Sequence, residues 1–254
     1  MRGIALATLL CLASKAWAQG GEELRIDGHI NAAMAAQMHM ALAHGPRAIR
    51  ISSSGGDQLP ALALARDMRH AHVSLIVEGL CGGPCANYLF LAATKRMVMP
   101  GGLVIFSGTA SSAMAMVPAD KAAMVGGDYA RAAAEEKSLL ADAGINPALL
   151  LEPQLQLHPG CYSLTSKDGA GKAYINYRAD FIGWVPSRAY LARAGVQIDG
   201  FWPASPAQFQ AAFQRTFAGN ARGTIASFGP ASPGKSAILL AALKSVRPCD
   251  AAGR

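Results

Sequence analysis

From residue 23 onward, short apolar runs alternate with stretches of helical spacing. Leu24-Arg25-Ile26-Asp27-Gly28 alternates with a period of two, as a half-buried strand does, and Asn31 to Ala43 carries Ala and Met at helical spacing. Ala48-Ile49-Arg50-Ile51 predicts a second strand, closed by Ser52-Ser53-Ser54-Gly55-Gly56-Asp57. Leu59 to His70 predicts a helix with Leu62, Leu64 and Met68 turned to a core, and Val73 to Val77 a third strand. Cys81-Gly82-Gly83-Pro84-Cys85 then frees the backbone and starts a helix at Pro84, whose missing N–H is harmless at the first helical position. Ala86 to Ala93 reads as a buried helix, and Arg96 to Met99 and Leu103 to Phe106 as further strands. This order implies an α/β fold with a largely parallel sheet and crossover helices.

The second half is less regular. Ala110 to Val125 is rich in Ala, Ser and Met, and Met114, Met116 and Met124 suit either core filling or a flexible apolar wall. Tyr129 to Ala143 predicts a helix with Glu135, Glu136 and Lys137 on solvated positions and Gly144 as its stop. Cys161 to Ile175 suits a loop or hairpin around Asp168-Gly169, and Phe181 to Gly195 closes a helical segment. Trp202-Pro203-Ala204-Ser205-Pro206 reads as loop, and Ser236 to Val246 as a short helix after the glycine- and proline-rich stretch from Gly229 to Gly234.

The first residues change the picture of where the protein works. Met1-Arg2 precedes an apolar run from Ile4 to Ala13, and Ala16-Trp17-Ala18 before Gln19 is a small-x-small cleavage pattern, so residues 1–18 are expected to be a signal peptide for the periplasm or exterior. The run is too short to span a bilayer, so no stable membrane anchor is expected. Residues 19–200 then form the α/β domain and 201–254 a C-terminal extension, packed on that domain or trailing from it. The net charge of +7 comes from Lys and Arg placed singly or in pairs, without the basic runs of a nucleic-acid platform.

Without Cys11, four cysteines remain, Cys81, Cys85, Cys161 and Cys249, an even number for an oxidising compartment. Three pairings are open; Cys81 with Cys85 and Cys161 with Cys249 is favoured, the first because it is local and the second because it ties down the tail. His29, His39, His44, His70, His72 and His158 show no metal-ligand spacing, and no metal or cofactor is expected.

Two glycine turns, one βα unit apart, carry the candidate chemistry: Ile51-Ser52-Ser53-Ser54-Gly55-Gly56-Asp57 and Cys81-Gly82-Gly83-Pro84-Cys85-Ala86-Asn87-Tyr88-Leu89-Phe90. Together they resemble the Clp-peptidase/crotonase superfamily, and more closely its exported bacterial members, whose second turn reads Cys-x-Ser-x-Cys before Ala-Asn-Tyr-Leu-Phe or a near variant. The resemblance covers residues 24–150 and continues through Phe181 to Pro203. It implies a spiral of βα units with a largely parallel sheet and a small irregular C-terminal region, and self-association into rings or trimers.

In that family the diglycine turn donates backbone N–H groups to the oxyanion of an acyl-transfer intermediate, and Gly55 and Gly56 match it. The nucleophilic serine opens the helix after the next strand, where Gly83 stands, and the histidine base falls where Phe106-Ser107-Gly108 places Ser107. A Ser/His mechanism needs a nucleophile and a base within hydrogen-bond reach, and glycine supplies neither. The resemblance therefore implies the fold and a vestigial site, a pseudoenzyme that binds a peptide or acyl ligand. A hydrolase with a displaced nucleophile at Cys85 is the alternative, since thiol pKa values fall near helix N-termini. A thiol-disulfide oxidoreductase through Cys81 and Cys85 is a third reading, weakened by the extra glycine that breaks Cys-x-x-Cys spacing. Asp128 and Asp142 are candidates for an orienting acid, with no histidine to orient.

Overall fold

Apolar alternation in the first strands and helical spacing between them produce repeated βα units. The computed structural model describes residues 23–116, 127–150, 161–167, 173–178, 183–217, 226–229 and 248–249. Residues 1–18, expected to be a signal peptide, Met124, and the helix expected over 236–246 lie outside these residues. The N-terminal half runs β1 (Glu23–Asp27), α1 (Ala32–Leu42), β2 (Ala48–Ser53), α2 (Gln58–His70) and β3 (Ser74–Gly82), then a π-helix (Cys85–Phe90), β4 (Arg96–Val98) and β5 (Leu103–Ile105). After it come α3 (Ala110–Met116), α4 (Gly127–Ala143), the hairpin β6 (Cys161–Lys167) and β7 (Ala173–Arg178), β8 (Gly183–Pro186), α5 (Arg188–Arg193), β9 (Asp199–Gly200), α6 (Pro206–Thr216) and β10 (Ala226–Gly229).

The main sheet has the order β1-β2-β3-β4-β9, with β5 on the far end of β3, and all its pairings are parallel. The chain is thus α/β with a mostly parallel sheet. Ile26, Ile49, Ile51, Leu75 and Val77 are buried in the core. The alternate positions Arg25 and Arg50, lateral neighbours of like charge, are bridged by Glu78, at 2.9 Å from Arg25 Nη1 and 2.7 Å from Arg50 Nη1, and each has a second acid partner, Asp27 and Glu23 respectively.

Strand β3 runs past Val77, where the apolar run ends, to Gly82. Ile51 pairs with Val77 and Ser53 with Cys81, so β3 carries two more residues than β2 across this bulge. Gly79 sits at the bulge, where a Cβ would fall 2.5 Å from Ser52 Oγ. The bulge re-aims β3, so that Leu75–Val77 pair with β4 while Leu80–Gly82 pair with β5. Both glycine turns end up at the same end of the sheet.

Two sequence expectations are corrected. Within Phe181 to Gly195, residues Gly183–Pro186 form a strand, pairing with β10 and bridging Phe106, and only Arg188–Arg193 are helical. Glu136, expected on a solvated position, is fully buried, because it lies on the α4 stripe that holds Ala132, Leu139 and Leu140. Beyond residue 200, Trp202 stacks on Phe90 at 6.2 Å, and Phe209 and Phe213 of α6 are buried.

Candidate functional site

The first turn is fixed by hydrogen bonds on both sides of Gly56. Ser53, buried at 2% exposure, exchanges hydrogen bonds with Gly55, its Oγ accepting from the Gly55 N–H at 3.1 Å and donating to the Gly55 carbonyl at 3.1 Å. The Ile30 N–H donates to the Gly55 carbonyl at 2.9 Å and the Asp57 N–H to the Ile30 carbonyl at 2.8 Å. The Gly56 N–H takes part in none of these bonds. A Cβ on Gly56 would run into the backbone of Ile30.

The second turn lies directly against the first. Gly55 has φ +110°, and a Cβ there would meet the Gly82 carbonyl at 2.8 Å and Pro84 Cδ at 2.9 Å. Gly83 has φ +50°, the left-handed conformation of a sharp strand-to-helix turn. Its N–H donates to the Ile105 carbonyl at 3.1 Å and its carbonyl accepts the Asn87 N–H at 2.8 Å. Cys81 and Cys85 close the turn with a disulfide, with Cα atoms 5.3 Å apart, and both residues are fully buried. The sulfur of Cys85 is thus bonded rather than free. Cys249 is also disulfide-bonded, to a partner whose side chain lies outside the described residues.

The third wall is Ser107–Gly108, and Asn87 holds it. The fully buried Asn87 donates through Nδ2 to the carbonyls of Ser107 at 2.9 Å and Gly108 at 3.1 Å, and its Oδ1 accepts the Ser107 N–H at 3.3 Å. Sequence reasoning missed this role, although a lone amide inside the apolar run Cys85–Phe90 is a signal that something polar must meet it. The turn brings Gly83 and Ser107 together: a Cβ on Gly83 would lie 3.1 Å from Ser107 Oγ. Pro84, the residue after that position, has no N–H to offer.

The buried acid Glu136 accepts the Ala110 N–H at 3.1 Å, two residues past this wall. Asp128 pairs with Arg131 at 2.9 Å, and the Asp142 carbonyl accepts from Arg69. Beside Gly56 opens a cleft of 510 Å³, walled by Asp57, Gln58, Leu59 and Pro60 at the α2 start and by Asp128, Tyr129 and Ala132 of α4. Met114 is half-buried on α3 and is not among the lining residues; the side chain of Met116 lies outside the described residues. A larger groove of 710 Å³ between α1 and α2 touches none of the residues of the two glycine turns.

Among the described residues no three His, Cys, Asp or Glu side chains group as metal ligands, and no helix is long and apolar enough to cross a membrane. No family model matches the chain, and no curated protein matches it. Solved structures to which it is similar include ClpP1 from Listeria monocytogenes, 19% identical over 48% of this chain and 71% of that one, with a TM-score of 0.35. A mutant of the same ClpP1 is 18% identical over the same shares, 48% and 71%, with a TM-score of 0.37. A mutant of the 1510-N membrane-bound stomatin-specific protease is 14% identical over 34% of this chain and 45% of that one, with a TM-score of 0.28.

Proposed function

We propose that this protein is an exported, Clp-peptidase-like pseudoenzyme that binds an extended peptide or an acyl group beside Gly56 and does not cleave it. The observation that carries the reading is the meeting of Gly83 with Ser107. A turn of nucleophile-presenting shape is kept, with its positive φ and its facing residue, while Gly83 bears no nucleophile and the facing Ser107 is no general base. Pro84 deepens the loss. Where a nucleophile sits on such a turn, the N–H of the next residue joins the oxyanion hole, and proline removes that donor. What is kept is one uncommitted N–H, at Gly56, on the edge of a cleft whose walls join Leu59, Pro60 and Tyr129 to the polar Asp57, Gln58 and Asp128. That arrangement suits a carbonyl of a bound chain better than a tetrahedral oxyanion, which needs two donors.

Export is supported by the leader pattern in residues 1–18 and by the Cys81–Cys85 disulfide, a bond typical of oxidising compartments. Self-association belongs to the same proposal.

Labelling of the unreduced protein with a fluorophosphonate and with iodoacetamide, read by peptide mass spectrometry, tests the loss of chemistry. The expected result is no phosphonate adduct at any serine and no alkylation of Cys81 or Cys85 before reduction. A phosphonate adduct at Ser54 or Ser107, or fast alkylation of Cys85, would replace the pseudoenzyme with a hydrolase.

A further inference from the structure

Exposure falls along the α4 wall of the cleft. Asp128 is exposed, Tyr129 is half-buried, Ala132 is buried, and Glu136 has no exposed surface. The first three line the cleft beside Gly56, and Ala132 is the most buried of the residues that do. Tyr129, Ala132 and Glu136 stand at i, i+3 and i+7 of α4, so one helix face carries a carboxyl a single turn beyond the cleft's inner end. Helical side chains lean toward the helix N-terminus, which brings that carboxyl back over Ala132.

Only one of its two oxygens is used. Oε2 accepts from Tyr88 Oη at 3.1 Å, from the Ala110 N–H at 3.1 Å and from the Ser111 N–H at 3.5 Å. All three are donors, the set that suits an ionised carboxylate. Oε1 is buried with no hydrogen-bond partner. Among the described residues Glu136 has no ion-pair partner either; Arg66, which reaches α4 from α2, is engaged by Glu135 at 3.3 Å. Burial pushes the carboxyl above its ordinary 4.5, against the pull of the hydrogen bonds from Ser111, Tyr88 and Ala110. A cation at Oε1 resolves that conflict, because it supplies the countercharge and the missing donor together.

We propose that Glu136 is a specificity determinant of the cleft: its Oε1 receives the ammonium or guanidinium of a basic side chain carried by a peptide whose backbone lies beside Gly56. It rests on the reading of the cleft as a peptide site. The rest of the wall suits the same guest. Asp57 and Asp128 place two more carboxylates at the mouth, paired with His29 at 3.4 Å and Arg131 at 2.9 Å. All four of these side chains are more than half exposed, so the pairs are weak and exchange partners readily. The Tyr129 ring is an aromatic face for a passing cation. Ala132 presents only a methyl group, and the apolar stem of a Lys or Arg is long enough to cover the roughly 5–6 Å between the Cβ atoms of residues four apart on a helix.

Anisotropy with two fluorescein-labelled heptapeptides that differ only at the central residue, lysine or Nε-acetyl-lysine, tests this on the full chain. Wild type is expected to bind the lysine peptide about tenfold or more tightly, and to keep that preference in about 0.5 M NaCl, which screens the exposed pairs at the mouth but not a buried one. Glu136→Gln, which keeps the shape and removes the charge, is expected to bring the two peptides within about twofold of each other. A preference that survives Glu136→Gln overturns the assignment; so does one that vanishes in the salt, a result that needs no variant. If wild type binds both peptides equally, the cleft reading stands and the role of Glu136 falls. If neither binds, the cleft reading falls, and n-butylamine against n-butanol at matched pH decides the rest. A rise in wild-type Tm with the amine alone, absent from Glu136→Gln, keeps a cation site at Glu136; no rise overturns it as well.

Discussion

Gly56→Ala is expected to destabilise the protein by about 3–5 kcal/mol, a large part of a typical margin of about 5–15 kcal/mol. The reason is the partner of the new methyl group. It would run into the backbone of Ile30, whose N–H and carbonyl are both held by the same turn, through Gly55 and Asp57. A flexible side chain could swing away; a bridged backbone cannot without breaking both bonds. Gly108→Ala, in the same site, is the control, because a Cβ there has nothing within 4 Å. It should stay within about 1 kcal/mol of wild type. Urea midpoints for the two variants decide the matter. Equal losses would mean that the close approach of Gly56 to Ile30 is not what shapes the turn.

Asn87→Asp should be as damaging near neutral pH, with a loss of about 3–5 kcal/mol, although it changes one atom of the side chain. The amide nitrogen faces two carbonyls, those of Ser107 and Gly108, and a carboxylate in its place presents oxygen to oxygen in a fully buried position. The sign of the pH dependence follows. Burial against two carbonyls raises the folded pKa of the new carboxyl, so the folded state favours the protonated form, which can donate to one of them. The loss relative to wild type therefore shrinks as pH falls through that raised value and grows as pH rises. A loss under about 1 kcal/mol that does not vary with pH would show that Asn87 does not hold the Ser107 wall.

Much of the first half was legible because its strands and helices are local. From Leu24 to Val77 the apolar period changes from two to three or four and back, and each change is an element boundary in the structure. The far end of β3 was not legible. Glu78 and Gly79 break the apolar run, and Leu80–Gly82 are kept extended by pairing with Leu103–Ile105 of β5 and, at Cys81, with Ser53 of β2. Gly183–Pro186 failed for the same reason: four residues become a strand through β10 and Phe106, partners remote in sequence. The helix Pro206–Thr216 went unanticipated because Pro203 and Pro206 suggest loop, yet Ser205 as N-cap and proline at the first helical position are start signals.

At the site, glycines and cysteines announced themselves by type, and Gly55, Gly56, Gly83, Ser107 and the Cys81–Cys85 bridge do converge. Asn87 and Glu136 did not, since their roles depend on what another element places opposite them. Glu136 stands between Glu135 and Lys137 in sequence, but a turn of about 100° per residue sets it on the face of Ala132 and Leu140. Its neighbours in the chain were the wrong guide.

The proposed protein keeps a binding turn without reacting groups. This is tested most directly by titrating an unlabelled heptapeptide pool into ¹⁵N-labelled protein and following the Gly56 amide resonance, with mass spectrometry of the peptides from the same tube. A saturable shift of Gly56 with intact peptides is expected. Cleaved peptides, or an unmoved Gly56 while resonances elsewhere respond, would contradict it.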